Sequence, residues 1–119
     1  MMNDSEQVIR IEIRFDWGMG PFWIQFSGDP IFHDYDIEEI SEVLTISEDL
    51  LGDIEKWNAR MQDTFDYEEG RNSGIKDPAE RGKWAEDGRV LAVRLKREVG
   101  SAIAVEYSPF GDTGEEIDA

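Results

Sequence analysis

Residues 8–16, VIRIEIRFD, alternate without a break. Ile9, Ile11, Ile13 and Phe15 fall on one side of an extended backbone; Val8, Arg10, Glu12 and Arg14 fall on the other. Successive side chains of a strand point to opposite faces of a sheet, so this pattern describes a strand covered on one face and wet on the other. Trp17-Gly18-Met19-Gly20-Pro21 then breaks the ladder with two glycines and a proline. Phe22, Ile24 and Phe26 resume the apolar row, which makes 8–16 and 22–27 an antiparallel hairpin. The same parity turns Trp23 away from the core and leaves Trp17 at the hairpin tip.

Two helices are expected to cover the sheet. Ser47 reads as an N-cap, with Glu48 and Asp49 in a first turn where the helix dipole favours anions. Leu50, Ile54, Trp57, Met61 and Phe65 follow at steps of four, three, four and four, one apolar stripe. Asp77-Pro78-Ala79-Glu80 is a second start signal, an N-cap followed by proline at the first helical position. Trp84, Gly88, Leu91, Leu95 and Val99 run from it to a stop at Gly100, with Val90 and Val93 on another side. Ala102 to Tyr107 reads as a third strand. The expected fold is α+β: a small antiparallel or mixed sheet of order β-β-α-α-β with two amphipathic helices packed on one face. Residues 31–46 fit either a short strand or a helical turn around 36–44. Residues 1–107 are expected to form one domain, with 108–119 as an acidic, mobile tail.

Charge narrows the function. The 119 residues carry 28 acidic and 12 basic side chains, a net of −16. Such a chain is repelled by phosphate backbones and anionic membranes, so neither nucleic acid nor membrane is an expected partner. The absence of cysteine removes disulfides, thiolate metal sites and thiol catalysis. With no signal-like N-terminal segment, the expected compartment is the cytoplasm. The charge is also concentrated. Residues 28–69 hold fourteen acids against Lys56 and Arg60, whereas residues 70–100 hold eight basic and five acidic side chains.

The densest acidic run, HDYDIEEISE at 33–42, contains five carboxylates and the only histidine. As a calcium loop counted from Asp34, it has Glu39 where a glycine is needed and Thr45 where a bidentate glutamate is needed. Zinc in a cysteine-free chain wants more than one histidine. No nucleophile elbow, P-loop or dinucleotide fingerprint is present. No metal, cofactor or catalytic site is expected, and the protein is read as a binder rather than an enzyme. Acid beside outward aromatics suits a protein interface in which charge steers and rings anchor. The candidate partner-binding residues are Trp17, Trp23, Asp34, Tyr35, Asp36, Glu38, Glu39, Glu42, Glu48 and Glu55, and the expected partner is a basic protein.

Three stretches resemble a family of small, acidic, functionally uncharacterised bacterial proteins of actinobacterial type. They are Pro21-Phe22-Trp23-Ile24; Ile46-Ser47-Glu48-Asp49-Leu50 with Trp57 two turns later; and Gly88-Arg89-Val90-Leu91-Ala92 with Leu95 and Glu98-Val99-Gly100. They span residues 21–107 and consist of packing and capping positions, so the resemblance implies a shared fold. In size and acidity the chain is also similar to immunity proteins that neutralise polymorphic or contact-dependent bacterial toxins. That similarity implies an inhibitor that occludes a basic toxin domain, a nuclease for instance. A structural or regulatory domain without a toxin partner, or a DNA mimic that blocks a DNA-binding protein, are the alternatives.

Overall fold

The structure is a computed structural model that describes residues 7–111 and 114–118. Its elements run β1 (Val8–Arg14), β2 (Phe22–Phe26), β3 (Phe32–Tyr35), α1 (Glu48–Gln62), α2 (Pro78–Val99), β4 (Ala104–Ser108) and β5 (Glu115–Glu116), with short 3-10 turns at Ile40–Glu42 and Gly70–Asn72. The five strands form one mixed sheet ordered β3-β2-β1-β4-β5. β1 pairs antiparallel with β2 and parallel with β4. The expected α+β class and helical layer are found, with a strand added at each edge.

The stretch at 31–46 holds both of the open alternatives in succession, β3 and then the turn at Ile40–Glu42. The packed structure also extends past 107. β5 pairs with β4, and Ile117, 2% exposed, enters the core. Two ion pairs fix that strand: Arg89 to Glu115 at 2.6 Å from the helical side, and Arg10 to Glu116 at 3.1 Å on the open face.

Burial follows the parity of the sequence with one slip. Ile11, Ile13, Phe22, Ile24, Val105 and Tyr107 form the covered face beneath Leu50, Ile54, Trp57, Met61, Trp84, Leu91 and Leu95 of the two helices. Ile9, expected in the same row, is 39% exposed. The register with β2 jumps between Val8 and Arg10, and such a bulge re-aims the residue it inserts. Val90, on the far side of α2, faces solvent, whereas Val93 is half-buried against the core.

Both caps behave as read. The Ser47 side chain accepts from the Leu50 N–H at 3.2 Å, and Asp77 accepts from the Ala79 N–H at 3.1 Å. Gly100 closes α2 at φ 77°, a left-handed conformation that costs glycine little. The apolar stripe outruns α1, which stops at Gln62; Phe65 packs beyond it against Trp17. Among the described residues no helix is long and apolar enough to cross a membrane.

Candidate functional site

The loop between β1 and β2 is held rigidly at its base. The Gln62 side-chain oxygen accepts from the Gly18 N–H at 3.0 Å, and its amide donates to the Asp16 carbonyl at 2.8 Å and the Met19 carbonyl at 3.4 Å. Gly20 lies directly against β3: a Cβ there would stand 2.6 Å from the Asp36 nitrogen and nearer still to the Tyr35 carbonyl. Its N–H donates to Asp34 Oδ2 at 3.3 Å. This contact draws the acidic run toward the exposed face of α1.

A groove of about 460 Å³ lies between the two. Asp34, Asp36, Glu38 and Glu39 line it from one side; Glu55 and Asp63 line it from α1. Five candidates from the sequence are thus brought together. Asp63 was missed, because it follows the last residue of α1 and belongs to no apolar or acidic run. Asn58 and Gln62 also line the groove and supply amides among the carboxylates.

Two of these acids organise the backbone. The Glu39 N–H donates to Asp36 Oδ1 at 2.8 Å, and the Asp36 N–H donates back to Glu39 Oε1 at 3.1 Å. This reciprocal capping box starts the turn that carries Ile40 into the core. The D-x-x-E spacing at 36–39 was the available signal for it.

Most of the protein's cations are engaged elsewhere. Among the described residues, seven of the twelve lysines and arginines lie within 4.0 Å of a carboxylate, including Arg94 to Asp53 at 2.7 Å, Arg60 to Asp87 at 2.9 Å and Arg10 to Glu106 at 2.7 Å. Among the described residues, none of these ion pairs involves any of the six groove carboxylates. A concave, unneutralised acidic surface focuses field lines and raises the local concentration of cationic groups.

The other candidates lie outside the groove. Glu42 and Glu48 are exposed beside it along the chain. Trp17 packs edge-on against Phe15 at 4.8 Å and against Phe65 at 5.3 Å. Tyr35 pairs with Phe22 across the strands and is half-buried. Desolvation raises its phenol, and Glu42 and Glu39 add to the rise. Trp23 does turn to the open face, where Arg14 lies 4.2 Å over its ring. Among the described residues its buried indole Nε1 has no hydrogen-bond partner. His33 meets Asp29 at 2.9 Å, and that hydrogen bond, with one from the Ile31 N–H, lowers the Asp29 carboxyl. Among the described residues no three His, Asp or Glu side chains converge as a metal site needs.

No curated protein matches the chain. The family model described as Serratia CdiI immunity protein-like matches residues 9–110, from β1 through both helices to just beyond β4. That match covers most of the sheet, the helical layer and the whole groove, and on it the chain belongs to the Serratia CdiI immunity protein-like family.

Proposed function

We propose that the protein protects a cell from a contact-dependent toxin by seating the groove between β3 and α1 on a basic surface of the toxin domain. Membership of this family implies a non-enzymatic inhibitor with a cognate CdiA toxin domain as its partner. The observation that carries the groove assignment is its charge. Six carboxylates line the groove, its lining among the described residues includes no lysine or arginine, and seven of the chain's cations pair with other acids. A toxin that cleaves nucleic acid presents the complementary surface, because its cleft has to hold phosphate. Occlusion of that cleft would block activity in the cell interior, where such immunity is exercised.

In this reading Glu38, Glu55 and Asp63 make the contacts that cost least to the fold. Asp34, Asp36 and Glu39 both hold the groove in shape and charge it. Glu42 and Glu48 add to the long-range field. The test is binding kinetics with the cognate CdiA toxin domain, at two salt concentrations. The association rate should fall as salt rises, because steering is screened over ~8–10 Å near physiological ionic strength. Glu38→Lys/Glu55→Lys/Asp63→Lys should slow association and remove most of the salt dependence. A triple variant that associates as fast as the parent would make the groove a solvated face with no role in recognition.

A further inference from the structure

On the other side of the same loop lies a second cavity, of about 290 Å³, with a different character. Phe15, Trp17, Met61, Ile75 and Phe110 supply apolar walls, and Asp16 stands among them. The one cation in its lining, Arg81, donates to the Ile75 carbonyl at 3.0 Å. Trp17 walls this cavity and its neighbour Gly18 walls the acidic groove, so a body resting on the loop spans both.

Phe15, Trp17 and Phe110 line the cavity and belong to a longer chain of ring contacts. Tyr67 meets Phe65 at 4.8 Å, Phe65 meets Trp17 at 5.3 Å, and Trp17 meets Phe15 at 4.8 Å. Phe15 then meets Trp84 at 5.7 Å, and Trp84 meets Phe110 at 5.7 Å. The middle of this series is packed. Its two ends, Tyr67 at 91% and Phe110 at 54% exposure, are among the large apolar side chains most open to solvent. Exposed apolar rings grouped at a polar rim mark interaction sites more often than scattered ones do. Rings already held by edge-on neighbours lose little freedom when a partner arrives.

We infer that this cavity is a socket for an apolar side chain of the toxin domain, carried next to the basic residues that enter the acidic groove. The inference rests on the immunity reading above. The occupant's setting follows from charge: Asp16 and Arg81 balance in the socket's own lining, and six carboxylates lie across the loop. The apolar side chain is therefore flanked by cations. The groove governs how fast the two proteins meet; the socket governs how long they stay together.

The experiment is surface plasmon resonance with the purified cognate CdiA toxin domain, comparing Phe110→Ala and Ile75→Ala with the groove triple variant, each checked by thermal melting. The socket variants should dissociate about 10-fold faster, with association rate and salt dependence within about 2-fold of the parent. The groove variant should show the opposite split. Ile75→Ala keeps the test valid if Phe110→Ala destabilises the fold through its contact with Trp84. If the parent binds and the groove variant weakens association while both socket variants dissociate at the parental rate, the socket is overturned and the immunity reading stands. A parent that does not bind the toxin overturns both. A dimer of this chain in light scattering that Phe110→Ala dissolves would give the cavity to a second copy, and would also overturn the inference.

Discussion

Trp57 and Trp84 each donate an indole N–H to the other's backbone carbonyl, at 2.8 and 2.9 Å, with their rings stacked 4.5 Å apart and 7° from parallel. The pair thus joins α1 to α2 with both buried donors satisfied, whereas an unpaired buried donor costs ~1–3 kcal/mol. Gly88 makes room for it. A Cβ at Gly88 would sit 2.6 Å from Trp57 Cε2 and would also strike the Tyr107 hydroxyl, which donates to the Ala85 carbonyl. Gly88→Ala should therefore destabilise by ~1–3 kcal/mol through overpacking, although alanine is the better helix former. A denaturant midpoint at or above the parent's would contradict this packing.

Leu95 is fully buried where α2 meets the sheet. Leu95→Ala should cost ~2–5 kcal/mol, the lost transfer energy plus the cavity left behind. Urea titration gives the answer, and a loss too small to resolve would mean that the helical layer is looser than described.

Asp36 and Glu39 were read from the sequence as partner-binding surface charges, and their reciprocal hydrogen bonds set them apart from the other groove acids. Asp36→Ala should cost ~0.5–2 kcal/mol, as lost caps do. Glu38→Ala, one residue from Glu39 and without such a bond, should fall within ~0.5 kcal/mol of the parent. Equal melting curves for the two variants would remove the capping role.

Glu12 faces Glu106 across β1 and β4 on the open side of the sheet. Burial raises its carboxyl above the ordinary value; Arg14 pulls it down and Glu106 adds to the rise. The folded protein therefore holds this proton more tightly than the unfolded chain. The resulting cost is absent below the unfolded carboxyl's range, grows as pH rises toward the folded value, and is full at neutral pH. Glu12→Gln should be more stable than the parent near pH 7, with the advantage fading as pH falls through the carboxylate range. Melting curves from pH 3 to 8 show whether the difference has that sign.

The helices and the first hairpin were legible because their signals are local. Ser47 and Asp77 announce caps within three residues, and the stripe from Leu50 to Met61 repeats on one helix face. β3 was not, since FHDY has no apolar alternation and becomes a strand by pairing with β2. β5 and the burial of Ile117 depend on β4 and on Arg89 and Arg10, residues distant in the chain. The acidic side of the site could be read from composition, but its shape could not. The groove exists because Gly20 touches Tyr35 and Gln62 pins the loop, and no periodic pattern encodes either contact. The same holds for Trp17 and Tyr35, whose rings were expected outward and pack instead against neighbours.

The parallel pairing of β1 with β4 also matters while the protein is being made. Arg10 and Glu106, neighbours on the sheet, are ninety-six residues apart in the chain. β2 is synthesised soon after β1 and can occupy one of its edges, but the other edge stays open on the ribosome until both helices have been translated. An open strand edge invites pairing with other nascent chains, and charged side chains along it discourage that. The Arg10, Glu12 and Arg14 row should therefore protect that edge during synthesis. Replacing all three with threonine should lower soluble yield during expression even where the purified variant melts no lower than the parent. Equal yields would show that the open edge carries no hazard.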